Sequence, residues 1–501
     1  MPADEKVWVG VDLGTQSVKV VAVSATGETL CRHTHPLTSS RDGRQHEQSP
    51  QEWLDATTQC LRQVTQALPS GVTIAGISSC ATSGTIAVAN RETGLLRPTA
   101  VMYDDTRGHE FTATAQHVGE ATWARLGYTL QDSWALPAML WWNSIEPLAK
   151  NEVFVTQADV INWFLAGTAT ASDSSHTLKA GFDLDNLRWP LDVLRSLELP
   201  AHALNDVVTP GTRIGVVGVE AARNTGLPEG TPIVAGMTDG SAAQIAAGAV
   251  APGRWNSVLG TTLVLKGSSL TRQIDSTGAI YCHLGPFGSG WWPGGASNTG
   301  TRALNDLLAG QSLDGFHLSP EIIKDTPVRY PLTGVGERFP FVDNEARGFV
   351  VEDSGDVSSD DPQHLFASVA LGVALVERLA FDVVSAAGYD VNGPISLTGG
   401  ASQNQEWNQL RSTVMHRECV VPHNTDGAVG MAILARAGTE SSGTKDFASI
   451  VESMLTANAT ITPDPTLGQL IDKKYAILLQ QLHRRGWIDA HTTDYVQEKL
   501  R

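Results

Sequence analysis

Two stretches of the chain share one pattern, in which two apolar runs flank a short polar turn rich in glycine and threonine. The first spans 7–23 and reads VWVGVDLGTQSVKVVAV, and the second spans 254–266 and reads RWNSVLGTTLVLK. Because β-branched residues dominate the runs and glycine lies in the turns, both stretches predict β-hairpins. The two turns are about half of the chain apart, which predicts two copies of one domain.

Elsewhere short β-like runs alternate with helical stretches, which predicts an α/β protein. The pattern predicts strands at 72–78, 86–89, 233–235 and 395–398, and helices at 50–68, 159–166, 241–249, 361–387, 427–437 and 471–501. The apolar run at 136–142 fits neither class. Because 501 residues are too many for one core, we expect two large domains, at 1–246 and 247–501.

Composition excludes several classes of protein. The chain has 53 acidic and 35 basic residues and a formal net charge of −18. Because proteins bind nucleic acid through basic surface, this charge disfavours a nucleic-acid-binding protein. Its five cysteines are scattered without CxxC spacing, which disfavours a disulfide framework or zinc site and suits a reducing compartment. The opening MPADEK has no signal pattern, and no apolar run reaches the roughly 20 residues that span a bilayer. We expect a cytoplasmic protein without nucleic-acid or membrane partners, and a homodimer is left open.

The two turns carry groups suited to phosphate. Backbone N–H groups near glycine and hydroxyl side chains bind phosphate oxygens, and a nearby aspartate can hold Mg²⁺ through water. An ordinary hairpin with a turn-stabilising aspartate is the alternative for the first turn. If both turns bind phosphate, together they would grip one nucleotide, through Asp12, Gly14, Thr15, Gln16, Ser17 and Lys19 on one side and Gly260, Thr261 and Thr262 on the other.

With these turns the chain resembles the sugar-kinase, actin and Hsp70 superfamily of ATP-binding proteins. Further segments, from about residue 8 to about residue 437, resemble FGGY-type carbohydrate kinases in the order of that family. They are EQSP at 47–50 with Trp53, MYDDTR at 102–107 with Tyr103 in place of tryptophan, GMTDG at 236–240, GERFP at 336–340 and TGGASQN at 398–404. The resemblance implies two actin-like (ribonuclease H-like) α/β domains around a deep cleft, with ATP and Mg²⁺ as cofactors.

The resemblance also implies roles for single residues. Sugar phosphorylation needs a base that takes the hydroxyl proton as the oxygen attacks the γ-phosphoryl group. Asp239, between two glycines at the end of an apolar strand, is the implied base, and Asp12 and Asp239 are the implied metal-associated acids. The segments also imply nucleotide contacts at Gly295, Gly400 and Asn404, and sugar contacts at Thr82, Ser83, Asp105 and Asp239. A tight turn is the alternative for Gly295, and a structural pair with Arg107 is the alternative for Asp105.

These roles predict ATP-dependent phosphorylation of a small sugar, giving a pentulose 5-phosphate and ADP. Thr82-Ser83 stands where bacterial xylulokinases carry a Met-His type of sequence, and the MYDD and GASNTG segments resemble a ribulokinase-like branch. The expected substrate is a ketopentose, D-ribulose before D-xylulose. Glycerol or another polyol is the alternative within enzymes. A nucleotide-driven binding module of the actin and Hsp70 type is the alternative outside them.

Overall fold

The computed structural model describes residues 5–275, 277–308, 315–351, 361–440, 444–488 and 490–499. In chain order the strands are β1 Glu5–Leu13, β2 Ser17–Ser24, β3 Thr29–Pro36, β4 Ser40–Asp42, β5 Gln45–Gln48, β6 Val72–Ala81, β7 Ile86–Asn90, β8 Ala100–Val101, β9 Glu152–Thr156, β10 Ser172–Asp173, β11 Val207–Val208, β12 Arg213–Val216, β13 Pro232–Val234, β14 Trp255–Leu259, β15 Leu263–Gly267, β16 Tyr281–Leu284, β17 Trp291–Ala296, β18 Val328–Tyr330, β19 Phe349–Val351, β20 Ile395–Thr398, β21 Cys419–Pro422 and β22 Ala457–Ile461.

The helices complete the α/β architecture. They are α1 Pro50–Ala67, α2 His109–Val118, α3 Glu120–Leu126, α4 Ala135–Ile145, α5 Gln157–Ala166, α6 Leu191–Ser196, α7 Val219–Thr225, α8 Asp239–Ala246, α9 Arg302–Leu307, α10 Pro320–Asp325, α11 Pro362–Ala386, α12 Gln405–Met415, α13 Gly427–Glu440, α14 Thr444–Met454, α15 Gly468–Arg484 and α16 Ala490–Lys499. The prediction of an α/β fold is confirmed.

Both predicted hairpins form. β1 pairs antiparallel with β2, with Asp12 opposite Lys19, and β14 pairs antiparallel with β15. The long apolar pattern at 361–387 becomes α11, whose N-cap Asp361 accepts a hydrogen bond from the backbone of His364. Two predictions need correction. β13 ends at Val234, and Asp239 is the first residue of α8 rather than the end of a strand. The helix predicted at 471–501 is divided into α15 and α16.

Two compact units make up the described chain, and the first comprises residues within 5–246, 283–291 and 424–456. Its main sheet has the order β12-β13-β6-β1-β2-β3, in which β1 runs parallel to β6 and antiparallel to β2. A five-stranded sheet in the order β4-β5-β8-β7-β9 lies in the same unit. One apolar cluster joins the main sheet to α1 and α5, and Trp53 is fully buried in it.

The second unit comprises residues within 247–282, 292–423 and 457–499. The order β16-β17-β15-β14-β20-β21-β22 describes its large sheet, and β18 pairs with β19 in a small sheet of two strands. α11 is buried along most of its length, which suits its apolar sequence. Within this unit β14 runs parallel to β20, so the second hairpin stands beside the strand that leads to Gly399-Gly400.

Close backbone packing in the first unit depends on glycine. A Cβ on Gly236 would lie 1.9 Å from the carbonyl oxygen of Ser79, and one on Gly430 would lie 2.0 Å from that of Ala242. A Cβ on Gly10 would lie 1.7 Å from the carbonyl oxygen of Ala428. α13 therefore packs directly on β1 and α8, and it brings Asp426, the residue before it, beside the first hairpin turn.

Among the helices described, none is long and apolar enough to cross a membrane.

Candidate active site

The turn between β1 and β2 is held by residues of the EQSP motif. The Gly14 N–H donates to the Ser17 carbonyl across the turn at 3.0 Å. The Gln48 side-chain amide donates to the Thr15 carbonyl at 2.6 Å, and its oxygen accepts from the Trp53 indole at 2.8 Å. These bonds fix the backbone that was predicted to bind phosphate, and they leave Gln16 exposed.

Asp12 lies at the end of β1 in an acidic environment. Burial and the nearby charges of Asp239 and Asp426 together raise the pKa of its carboxyl group to about 6, although Lys19 and the hydrogen bond from the Cys80 thiol act in the opposite direction. The Cys80 thiol donates to Asp12 Oδ1 at 3.4 Å. The structure therefore brings together both acids that sequence reasoning assigned to the metal.

Asp239 is exposed at the first turn of α8, directly after a buried run. Its Oδ1 accepts a hydrogen bond from the Gly240 N–H at 2.6 Å. The N-terminus of a helix favours negative charge, so this position suits a carboxylate. Asp239 is near enough to Asp12 for its charge to raise the pKa of that residue, and its role as the base stays a prediction.

Asp426 is a functional candidate that sequence reasoning missed. It pairs with Lys19 at 2.9 Å and with Arg32 at 2.7 Å, and its side chain is almost fully buried. Lys19, predicted to meet the phosphates, therefore has a carboxylate partner in the structure. In the sequence, the one signal for Asp426 is its position just before a predicted helix. Its partners lie near the other end of the chain, so local sequence does not reveal these ion pairs.

The predicted sugar loop gives different environments to its two hydroxyls. Thr82 is buried, and its hydroxyl lies 2.7 Å from Gln157 Oε1 and 2.6 Å from Thr85 Oγ1. The Ser83 Oγ is buried and has no hydrogen-bond partner within the described ranges, while its carbonyl accepts from Lys179. Of the pair, Ser83 is the residue whose hydroxyl makes no hydrogen bond within the described part of the chain, and both sugar contacts stay predictions.

Asp105 is used within the protein. Its carboxylate oxygens accept from the Arg107 backbone and guanidinium and from the His46 N–H, at 2.9–3.1 Å. Arg107 also pairs with Glu47 of the EQSP motif at 2.7 Å. This geometry favours the structural alternative for Asp105, and its sugar contact stays a prediction.

In the second unit the turn between β14 and β15 is exposed at Thr261 and braced by the segment that follows β17. The Thr301 backbone and hydroxyl both donate to the Gly260 carbonyl at 2.9 Å. A Cβ on Gly300 would lie 2.5 Å from the Thr261 carbonyl oxygen, so glycine lets this segment approach the turn. Within the braced turn Thr261 is exposed and Thr262 is half-buried.

Glu337 of the GERFP motif organises that bracing segment. Its carboxylate accepts from Ser297 Oγ at 2.9 Å, the Asn298 N–H at 2.7 Å and the Tyr330 hydroxyl at 2.8 Å. The neighbouring Phe339 ring lies 2.5 Å from where a Cβ on Gly295 would stand. Packing against Phe339 therefore explains why strand β17 has glycine at 295, and the nucleotide contact of Gly295 stays a prediction.

The predicted adenosine segment follows β20. Gly399 has a φ of 85° and packs against the Leu259 backbone, whereas Gly400 is exposed with open space at its Cα. Asn404 is the N-cap of α12, and its side-chain oxygen accepts from the Trp407 N–H at 2.9 Å. That cap uses the oxygen of Asn404, and the adenosine contacts of Gly400 and Asn404 stay predictions.

Each unit therefore carries one hairpin turn suited to phosphate, and the first also carries an exposed acid, Asp239, near a half-buried one, Asp12. These are the features of a phosphotransferase built from two related α/β domains. The sequence profile of the FGGY family of carbohydrate kinases, N-terminal domain, matches residues 7–246, and that of the C-terminal domain matches residues 297–438. The chain belongs to the FGGY family of carbohydrate kinases and is a carbohydrate kinase, as the motifs predicted.

Similar proteins agree with this assignment. The xylulose kinase of Bacillus subtilis (strain 168) is 24% identical over 459 residues, covering 87% of this chain and 88% of its own. The crystal structure of xylulose kinase from Rhodospirillum rubrum matches with a TM-score of 0.81 and 24% identity, over 95% of this chain and 99% of that one. Plasmodium falciparum glycerol kinase with ADP matches with a TM-score of 0.83 and 15% identity, over 95% and 98%. The fold is that of the two-domain, actin-like kinases.

Proposed function

We propose that this carbohydrate kinase transfers the γ-phosphoryl group of ATP to a hydroxyl of a ketopentose, giving a pentulose 5-phosphate and ADP. The observation that carries the proposal is the exposed Asp239 carboxylate beside Asp12 and the first phosphate turn. The motif resemblance favours D-ribulose, and the name of the relative from Bacillus subtilis favours D-xylulose.

In this proposal Asp239 takes the proton of the attacking hydroxyl. The turns at 14–17 and 260–262 bind phosphate oxygens through backbone N–H groups and hydroxyls. When ATP binds, the Lys19 ammonium group contacts the phosphate oxygens and keeps only part of its ion pair with Asp426. Ser83 binds a sugar hydroxyl, since its own hydroxyl is buried and unpartnered among the residues described.

The residues present fit Mg²⁺. Asp12 is a half-buried carboxylate whose pKa is raised by burial and by two further carboxylates, so a cation there would relieve the charge. The described residues hold no cluster of three or more acid, histidine or cysteine side chains able to cage a metal. Mg²⁺ typically takes one or two carboxylates and keeps its remaining ligands as water and phosphate oxygens. Asp12 and Asp239 would hold the ion, which would neutralise phosphate charge.

A cytoplasmic setting is part of the same proposal. The five cysteines are all free in the structure, which suits a reducing compartment.

The test is a panel of acceptors with purified protein and ATP, in which ADP release is measured for D-ribulose, D-xylulose, aldopentoses and glycerol. The product of the best acceptor is identified by NMR. We expect a ketopentose to give the highest kcat/KM and a 5-phosphate product. A panel that glycerol or an aldopentose wins would overturn the substrate class, and Asp239→Asn serves as the control for contaminating kinases.

A further inference from the structure

A buried polar turn in the first unit has no part in the chemistry described so far. It begins with β10 and reads SDSSHT at 172–177. Asp173, Ser175 and His176 are each at most 2% exposed. Because polar side chains are costly to bury unless they are hydrogen-bonded, the partners of this turn indicate what it does.

Ser175 holds the backbone next to the base. The Thr238 N–H donates to Ser175 Oγ at 2.9 Å, and Thr238 immediately precedes Asp239. The Ser175 hydroxyl in turn lies 3.4 Å from the Thr238 hydroxyl, which donates to Ser241 Oγ in α8 at 3.2 Å. The start of the helix that carries Asp239 is therefore tied to Ser175.

His176 holds the strand end that carries the sugar loop. Its Nδ1 lies 2.6 Å from Asp173 Oδ2, and its Nε2 lies 3.2 Å from the Ala81 carbonyl oxygen. Both partners are acceptors, so both ring nitrogens donate and the ring is an imidazolium. Burial opposes charge on this ring, but the Asp173 carboxylate outweighs it and raises the pKa of His176.

The two ties meet at one place in the sheet. Ala81, which precedes Thr82 and Ser83, forms an isolated parallel bridge with Thr238. His176 binds one member of this bridge and Ser175 the other. The turn therefore sets the spacing between the loop that carries Ser83 and the residue that leads to Asp239.

We propose that the Asp173–His176 turn is a positioning device for phosphoryl transfer, in which Ser175 aligns the base Asp239 and His176 aligns the sugar loop. The proposal rests on the function proposed above. None of these residues touches the reacting atoms, so each acts through the segment it binds.

Ser174 supplies a matched control for Ser175. Both serines are fully buried and adjacent, and the Ser174 Oγ has no hydrogen-bond partner in the described part of the chain. Ser175→Ala and Ser174→Ala therefore remove the same atom from the same turn, and only the first breaks the tie to Thr238. We expect Ser175→Ala to lower kcat about 10- to 100-fold, as a misplaced catalytic group does, with both KM values within about twofold. Ser174→Ala should keep wild-type kcat.

His176→Asn tests the other arm. Asparagine is too short to bind both Asp173 and the Ala81 carbonyl, so we expect the KM for the sugar to rise at least about fivefold while the KM for ATP stays within about twofold. In the wild-type protein, ¹⁵N NMR at pH 7 should show both ring nitrogens of His176 protonated. This measurement needs no variant to fold.

The outcomes separate this proposal from the proposed function. All kinetics use the best acceptor of the panel, whichever sugar it is. Equal kcat values for Ser175→Ala and Ser174→Ala, or a neutral His176 ring, would overturn the positioning role while the kinase activity stands. A wild-type protein that phosphorylates no sugar would instead overturn the proposed function.

Discussion

Replacing Glu337 by glutamine should separate nucleotide binding from sugar binding. Glu337 is 2% exposed and accepts four hydrogen bonds, from Ser297 Oγ, Tyr330 Oη and the N–H groups of Asn298 and Arg338. Glutamine has the same shape but turns one acceptor oxygen into a donor. Oε1 accepts from the two backbone N–H groups and Oε2 from the two hydroxyls, so the amide nitrogen is best placed against the hydroxyls, and all four bonds lose the charged acceptor.

The size of the effect follows from these contacts. A hydrogen bond to a charged group contributes about 1.5–3 kcal/mol and a neutral one about 0.5–1.5 kcal/mol, so weakening four bonds by roughly 1 kcal/mol each destabilises the second unit by about 4 kcal/mol. For a unit of roughly 200 residues, each kcal/mol shifts Tm by about 2–4 °C. We therefore expect Glu337→Gln to lower the Tm of the second unit by roughly 8 °C or more, measured by scanning calorimetry.

The kinetic effect should fall on ATP. Ser297 and Asn298 begin the segment whose Thr299 carbonyl accepts from Leu263 N–H and whose Thr301 donates to the Gly260 carbonyl. Loss of its anchor displaces the second phosphate turn, so the KM for ATP should rise at least about tenfold, which corresponds to 1.4 kcal/mol. The KM for the sugar should stay within about twofold when each substrate is varied at saturating levels of the other.

Two variants control this experiment. Glu345→Gln makes the same change at an exposed position of the neighbouring loop and should alter neither Tm nor KM. Tyr330→Phe removes one donor from Glu337 and should lower Tm by less than Glu337→Gln does. A Glu337→Gln protein with wild-type Tm and ATP KM would refute the reasoning, and equal rises in both KM values would show a general loss of structure instead.

Three further predictions concern the first unit. Asp239→Asn should lower kcat by at least about 10²–10⁴-fold while calorimetry still detects ATP binding, and near-normal turnover would contradict its role as the base. Ser83→Ala should raise the KM for the sugar about 5- to 150-fold, because an unpaired sugar hydroxyl costs roughly 1–3 kcal/mol. Thr82→Val should chiefly lower Tm. The reverse result would show that Ser83 does not line the sugar pocket. Burial raises the pKa of Asp159 from 3.8 to about 6. Between these two pH values the unfolded chain loses this proton before the folded protein does, so the free energy of unfolding falls as pH rises. Asp159→Asn mimics the protonated form, so between pH 5 and pH 8 its free energy of unfolding should rise by about 1.4 kcal/mol relative to that of the wild type. The difference in Tm between the two proteins should widen over this range, and a constant difference would contradict the pKa shift.

The sequence was most informative where structure depends on neighbouring residues. Apolar runs around glycine-threonine turns predicted both hairpins, and the capping Asp361 marked the start of α11. The run at 136–142 escaped assignment because α4 is buried on almost every side, which removes the alternation that identifies a helix. α13 was predicted as a helix, but its packing on β1 depends on glycine contacts between distant parts of the chain.

Residue type also predicted chemistry better than it predicted partners. Thr82, Asp105 and Asn404 have the groups that a sugar or nucleotide needs, yet in the structure each already binds a neighbour within its own unit. Ser83 has no such partner among the residues described, although nothing in its local sequence distinguishes it from Thr82. Hydrogen-bonding capacity is a property of the residue, but which atoms remain available to a ligand is decided by tertiary contacts.

The same distinction explains why one motif uses glutamine and the other uses glutamate. The first phosphate turn offers an acceptor, the Thr15 carbonyl, so its brace must donate, and the Gln48 amide does this while its oxygen accepts from the Trp53 indole. The second brace faces two backbone N–H groups and two hydroxyls, and the Glu337 carboxylate accepts from all four. An amide at 337 would replace a charged acceptor by a neutral group, and a carboxylate at 48 would meet the carbonyl oxygen of Thr15. Each motif therefore carries a residue whose polarity suits the groups presented around its turn.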